Sequence, residues 1–213
     1  MPKKFHKELK EDVFKVTIFG SARIKRGTLL YKEIKNLAKM LGERGFDVVS
    51  GGGPGLMEAA SIGHVEGSKK TGAHSIGVGI KLKTQRFNKS LDIKKEFSKF
   101  SERLDNFMAL SNVVVVAPGG IGTLLELFYT WQLSQVKHIQ NTPIILVGEQ
   151  WPPFIKWLEK YPLKSGFFER KDLNLLFLAD DCKEVIKMID KIYEKYKEGD
   201  EEFYSNYKKY KIE

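Results

Sequence analysis

The run Ala117-Pro118-Gly119-Gly120-Ile121-Gly122-Thr123-Leu124-Leu125-Glu126 combines residues that can hold an anion with one that could act on whatever the anion is attached to. The apolar, β-branched stretch Asn112-Val113-Val114-Val115-Val116 before it reads as a buried strand. Leu124-Leu125-Glu126-Leu127-Phe128-Tyr129-Thr130-Trp131 after it reads as a helix. Glycines between the two leave backbone N–H groups uncovered where the helix starts. That end of a helix carries unpaired donors and partial positive charge, so a phosphate is its natural occupant. Glu126 follows one turn later as a candidate carboxylate for acid–base or electrostatic work.

Two further glycine-bearing loops follow strands, Gly20-Ser21-Ala22-Arg23 and Gly51-Gly52-Gly53-Pro54-Gly55. The elements that must position all three alternate along the chain. Strands are expected at Val13–Phe19, Phe46–Ser50, His74–Gly79, Asn112–Val116, Pro143–Val147 and Leu175–Ala179. Helices are expected at Leu29–Arg44, Leu56–Lys70, Ser101–Leu110, from Leu124, near Pro153–Tyr161 and from Lys183, with Lys81–Phe100 irregular. Ala59, Ala60 and Gly63 offer small side chains for close packing of the second helix. Repeated strand–helix units with apolar strands imply a single doubly wound, Rossmann-like α/β domain with a mainly parallel sheet of six or seven strands. Ligands of such a sheet sit beyond the carboxyl ends of its strands, where all three loops lie. Residues 1–12 read as an N-terminal extension and 197–213 as a C-terminal tail.

With 213 residues, 42% of them hydrophobic and 30% charged, the chain has the composition of one globular domain. No apolar run approaches the ~20 residues of a bilayer span, and the charged N-terminus lacks the core of a secretory signal. Cys182 is alone, which excludes an internal disulfide and points to a reducing cytoplasm. The net charge of +9 is concentrated between Lys81 and Arg103, where eight basic side chains face three acidic ones. Such a segment could steer anionic ligands, or could be a solvated lysine-rich surface.

Several chemistries lack their signatures. Neither Gly51-x-Gly53 nor Gly120-x-Gly122 completes a G-x-G-x-x-G dinucleotide fingerprint. No Walker loop, H-E-x-x-H, paired C-x-x-C or G-x-S-x-G can be read. Two loops suited to a monophosphate or a polar sugar remain. Phe19-Gly20-Ser21-Ala22-Arg23, Gly51-Gly52-Gly53-Pro54-Gly55-Leu56-Met57-Glu58-Ala59-Ala60, Glu102-Arg103 and Pro118-Gly119-Gly120-Ile121-Gly122-Thr123-x-x-Glu126 together resemble the Lonely Guy family. The family comprises cytokinin riboside 5′-monophosphate phosphoribohydrolases and bacterial nucleotide 5′-monophosphate nucleosidases, many of them labelled lysine decarboxylases. The match runs from about residue 13 to 190, and Met57-Glu58-Ala59-Ala60 is closer to the bacterial branch.

The resemblance implies hydrolysis of the N-glycosidic bond of a nucleoside 5′-monophosphate such as AMP, with no cofactor and no metal. Gly119, Gly120, Gly122 and Thr123 would hold the phosphate. Glu126 would stabilise the cationic ribose and activate water, and Arg103 would contact substrate and fix that carboxylate. Gly52, Gly53, Ser21, Arg23 and Met57 are further candidates for substrate contact. Glu58 would touch ligand or complement the helix dipole, and Gln85 and Asn88 would help close the site. Two positions depart from the family: Leu104 follows the arginine where lysine is usual, and Leu125 precedes the glutamate where an acid is frequent.

Each role has a plainer rival. Thr123-Leu124-Leu125-Glu126 also fits a capping box, Arg103 a surface ion pair, and Gly51–Gly55 a tight turn. Lysine decarboxylation would need a Schiff-base lysine and an acidic partner for a pyridoxal ring, a constellation that cannot be read here. Molybdenum-cofactor carriers are similar in fold and bind phosphorylated ligands without cleaving them. Single-stranded DNA binding is raised by the basic charge, but nucleic acid is not the expected partner. The family also implies a homodimer, for which Leu127, Phe128, Trp131, Gln132 and Leu133 supply candidate apolar surface.

Overall fold

The computed structural model describes residues 13–82, 86–139 and 142–198, so the N-terminal extension, most of the tail and Gln85 lie outside the described residues. Seven strands, β1 (Lys15–Phe19), β2 (Asp47–Ser50), β3 (Ser75–Ile80), β4 (Ile93–Phe97), β5 (Val113–Val116), β6 (Ile144–Val147) and β7 (Leu176–Ala179), form one sheet. Its order is β4-β3-β2-β1-β5-β6-β7, and every pairing is parallel. Helices α1 (Leu29–Glu43), α2 (Leu56–Gly67), α3 (Phe100–Leu110), α4 (Ile121–Gln135), α5 (Trp151–Leu158), α6 (Arg170–Leu173) and α7 (Cys182–Lys197) connect and cover the strands. The chain winds outward from β1 to β4 and then returns to β5 beside β1. The crevice between β1 and β5 is therefore the switch point where such folds bind ligands.

Both faces of the sheet are covered, which explains why its inner strands are mainly apolar, with Lys15, Thr17, Asp47 and Ser50 as buried polar exceptions on β1 and β2. Val16, Ile18, Val48, Val113 and Val115 pack on one face against Ile34, Leu37 and Leu41 of α1 and Val185 and Ile189 of α7. Phe19, Val49, Val78, Val114 and Val116 pack on the other against Phe107, Leu127, Trp151 and Ile155. Helices α1 and α2 approach closely because α2 has glycine at the crossing. A Cβ on Gly63 would stand 1.9 Å from the Lys35 carbonyl oxygen, and one on Gly67 2.0 Å from that of Lys39. Gly63→Ala is expected to force the helices apart and lower stability by about 1–3 kcal/mol, read as an earlier urea midpoint at unchanged slope.

Three elements differ from the sequence expectation. Ile93–Phe97 is a strand inside a segment expected to be irregular. Its residues, IKKEF, bury only the two ends, because the strand is the sheet edge and carries lysine and glutamate outward. The short helix α6 was not anticipated; a reciprocal capping box between Glu169 and Asp172 holds it. Helix α4 begins at Ile121, three residues before the expected start.

His64 on α2 is fully buried, with Nε2 2.9 Å from the Phe46 carbonyl oxygen. Burial holds its pKa below the ordinary imidazole value, the Phe46 contact opposing only in part. A folded pKa that is depressed contributes stability present above the unfolded value of ~6.5 and lost as pH falls through the folded one. The urea midpoint of the native protein is therefore expected to drop between pH 7.5 and 5 more steeply than that of His64→Gln. Parallel pH dependences would contradict this.

Candidate active site

The site is assembled at the carboxyl edge of the sheet from four strand ends. The Pro118–Gly120 turn leaves β5, and α4 begins at once with Gly120 as an uncapped N-cap in extended backbone. The first amides of α4, those of Ile121, Gly122 and Thr123, have no intrahelical acceptor by geometry, and no side chain caps them. Gly120 and Gly122 are exposed, and a Cβ on either would meet nothing within 4 Å, so this amide nest opens outward. Gly119 has a different role from the one expected: its N–H donates to Gln150 Oε1 (2.9 Å) and its carbonyl accepts from Gln150 Nε2 (3.0 Å). Gly119 is thus fixed from both sides and shapes the loop instead of offering its amide. Thr123 is buried over Gly119, its Oγ1 2.1 Å from where a Gly119 Cβ would stand.

The capping-box alternative is overturned. Thr123 is the third helical residue, not the cap, and Glu126 turns its carboxylate away from the helix start. Glu126 Oε1 lies 2.9 Å from Arg103 Nη1, with the two side chains only 10% and 8% exposed. A surface ion pair is excluded for the same reason. Arg103 Nε donates to the carbonyl oxygen of Val78, within β3 (2.9 Å), and the guanidinium lies over the Phe107 ring, 4.8 Å from its centroid. Burial pushes the Glu126 carboxyl above the usual carboxylate range, while the charge of Arg103 and its hydrogen bond pull the other way. One helical turn separates Thr123 from Glu126, about 4.5 Å along the axis at 1.5 Å per residue. On the outer side of the pair, Tyr129 Oη donates to Asp105 Oδ1 (2.5 Å), tying α4 to α3.

The other loops converge on this pair. A Cβ on Gly51 would stand 2.6 Å from Met57 Sδ and 2.7 Å from Arg103 Nη2, so glycine there lets both reach the site floor. The Ser21 backbone joins the two phosphate-type loops: its N–H donates to the Pro118 carbonyl (3.1 Å) and its carbonyl accepts from Leu56 N–H (2.9 Å). Gly55, at φ +69°, passes so close to Ser21 that a Cβ would lie 2.4 Å from the Ser21 oxygen. Ser21 Oγ accepts the Arg23 N–H (3.1 Å), and Arg23 itself is exposed at the rim. Gly52 and Gly53 are buried, and Asn88 staples them: its N–H and Nδ2 donate to the Gly52 carbonyl (2.7 and 3.1 Å), and Nδ2 also reaches the Gly53 carbonyl (3.2 Å).

Glu58 is occupied by Arg26 Nε and Nη2 (2.8 and 2.6 Å) and by Tyr31 Oη (3.1 Å), with its pKa lowered chiefly by the Arg26 hydrogen bond. It therefore sits in the first turn of α2 as an ion-pair partner. Leu104 is buried, a core contact where a lysine was usual, and Leu125 is half-exposed on the outer face of the site helix. Gln150 and Phe87 were missed by sequence reasoning. Neither belongs to a motif, and each acts across a distance that only folding creates.

Comparison with known proteins then fits the geometry. Residues 57–189 match the family described as "Possible lysine decarboxylase". The chain is 25% identical over 187 residues to a pyrimidine/purine nucleotide 5′-monophosphate nucleosidase of Escherichia coli K12, covering 83% of this chain and 40% of that protein. It thus spans about two fifths of that relative's length. It is 26% identical over 185 residues to the cytokinin riboside 5′-monophosphate phosphoribohydrolase LOG of Oryza sativa subsp. japonica, covering 84% of this chain and 74% of that one. In fold it is similar to a Moco carrier protein of Chlamydomonas reinhardtii, with a TM-score of 0.60, 24% identity, and 86% and 99% of the two chains covered.

Proposed function

The protein belongs to the possible-lysine-decarboxylase, or Lonely Guy, family, and on that premise we propose that it is a nucleoside 5′-monophosphate phosphoribohydrolase. The observation that carries the proposal is the buried Arg103–Glu126 pair beside an uncapped helix N-terminus. The substrate phosphate seats on the amides of Gly122 and Thr123 and of the residues just before them, where unpaired donors and the helix dipole favour an anion. The ribose then lies over the first turn of α4, within reach of Glu126. As the bond between C1′ and the base nitrogen lengthens, positive charge builds on the ribose ring, and the Glu126 carboxylate faces it.

Water adds to C1′ with the electron pair of the broken bond leaving on the base. Glu126 takes the proton that the water loses, and a proton returns to the base nitrogen, giving free base and ribose 5-phosphate. A base held in a desolvated place has its pKa drawn toward the working range, and Arg103 keeps that carboxylate ionised and oriented. Ser21, Arg23 and Met57 flank the sugar and phosphate, and Gly52 and Gly53 shape the floor. No step requires a cofactor.

Helix α4 presents Ile121, Leu125 and Phe128 to the outside, with Ile121 87% exposed. Phe128 also stands beside Trp131, Phe167 and Phe168 around an aromatic groove that Gln132, Gln135 and Asp172 line as well. We assign this face to a homodimer contact next to the site. Of the residues expected there, Leu127 and Trp131 are buried, Trp131 donating to the Asp172 carbonyl (2.7 Å), while Phe128 and Gln132 face outward. Among the described residues no helix is long and apolar enough to cross a membrane, and we place the protein in the cytoplasm. Incubation with AMP, CMP, GMP and UMP tests the proposal: free base is expected. Tight nucleotide binding without cleavage would instead favour a carrier, and salt-sensitive binding of single-stranded DNA with no affinity for mononucleotides a nucleic-acid protein.

A further inference from the structure

Gln150 stands at the N-cap of α5, a place from which a polar side chain commonly caps its own helix, yet it makes no such bond. It reaches instead to the loop that leaves β5. Its Oε1 accepts the Gly119 N–H (2.9 Å) and its Nε2 donates to the Gly119 carbonyl (3.0 Å). One side chain thus occupies both polar groups of one residue, as a paired strand would. At neutral pH only Asn and Gln present a donor and an acceptor side by side in this way. The turn that carries Gln150 is braced against the same loop. Gly148 has φ +109°, and a Cβ there would stand 2.8 Å from Pro118 Cγ. On the other side of Gln150, the fully buried Trp151 donates its N–H to the Gly148 carbonyl (3.2 Å).

Each carbonyl from Pro118 to Gly120 has a donor. That of Pro118 receives the Ser21 N–H (3.1 Å), that of Gly119 receives Gln150, and that of Gly120 receives the Leu124 N–H (2.9 Å). What the loop leaves over at the head of α4 are amide donors, so an anion seated there meets no unpaired carbonyl. Gly119 also lies directly on Thr123, where a Cβ would stand 2.1 Å from Oγ1. The place at which Gln150 holds Gly119 therefore sets how the loop sits on the first turn of the helix. We propose that Gln150 is a positioning residue for phosphate binding: without touching substrate, it holds the loop in the arrangement that turns the amides of Ile121, Gly122 and Thr123 outward. This role rests on the nucleotide reading above, and it gives a side chain outside the glycine loops the task of keeping the phosphate seat formed.

Gln150→Met fills the same space and makes neither bond, and at a half-buried position it is expected to fold. A loop freed in this way visits arrangements that do not bind, and apparent affinity falls by the fraction of time lost to them. With two hydrogen bonds gone, KM for AMP is expected to rise about tenfold or more. The turnover number kcat is expected to change by less than about threefold, because the phosphate is held alike in the ground and transition states. Calorimetric Kd for AMP on the Glu126→Gln protein, with and without Gln150→Met, reads the same rise independently of turnover. Inhibition by ribose 5-phosphate is expected to weaken by the same factor, and inhibition by adenine, which carries no phosphate, to stay as it was. Gln150→Glu keeps the length and still accepts the Gly119 N–H, but it sets an oxygen against the Gly119 carbonyl and a negative charge beside the anion seat. Its KM is expected to exceed that of Gln150→Met, whereas a side chain that only fills space would leave both variants like the native protein. Native affinity for AMP in both variants, or a loss confined to kcat, would overturn the inference and leave the nucleotide reading standing. Failure of the native protein to bind or cleave AMP would overturn both.

Discussion

Glu126→Gln loses turnover of nucleoside monophosphates, with kcat/KM falling by about a thousandfold or more, while the fold persists. The magnitude follows from the two tasks the carboxylate is given. Proton transfer by a positioned base contributes about 10²–10⁴-fold, and a charge aimed at a developing cation in a water-poor site contributes further. Stability answers to different terms. Replacing the carboxylate by an amide removes a desolvated negative charge, which favours the folded state, and weakens the partner of Arg103, which disfavours it. The amide oxygen can still accept from Arg103 Nη1, so the arginine keeps its partner, while the new amide N–H groups add a desolvation cost. The two effects oppose, and the net change is expected within about 1–2 kcal/mol. Equal loss of activity and of folded protein would instead mark Glu126 as a structural residue.

Arg103→Met is expected to remove activity and stability together, at a cost of about 3–5 kcal/mol near neutral pH, because it strands a buried carboxylate. The pH dependence identifies the cause. With the arginine gone, burial alone acts on Glu126 and holds its folded pKa above the unfolded one. A carboxyl raised in this way favours the folded state fully below the unfolded value of ~4.3, and that contribution is lost as pH rises through the folded value. The deficit of Arg103→Met therefore grows from acid toward neutral pH, and denaturant midpoints at pH 4.5 and 7.5 read it out. Adding Glu126→Gln should recover most of the stability and none of the activity. A deficit independent of pH would mean that packing against Phe107 and the bond to the Val78 carbonyl, rather than charge, account for the loss.

Much of the frame was legible because it rests on local regularities. Runs rich in β-branched residues and buried on both faces mark β1, β2, β5 and β6, and each glycine loop sits where a strand meets a helix. The edge strand β4 was not legible, since an exposed lysine-rich strand has the composition of a loop, and its pairing partner β3 lies outside it in sequence. Arg103 and Glu126 were legible as a pair only through family resemblance. Their spacing of 23 residues carries no periodic signal, and the capping-box pattern at Thr123 was an equally good local reading. Helix α4 starting at Ile121 removed that reading, because it moves Thr123 into the helix and leaves the carboxylate free to meet the arginine. Gln150 clamping Gly119 and Phe87 lying on β3 are tertiary contacts made by residues with no pattern of their own, whereas Asn88, which staples Gly52, was marked only through the family resemblance.

Product identity tests the central claim most directly. After incubation of the protein with AMP, chromatography and phosphorus NMR are expected to show adenine and ribose 5-phosphate in equal amounts, with neither product formed by Glu126→Gln. Adenosine and inorganic phosphate, or AMP recovered unchanged from a protein that binds it, would contradict the account.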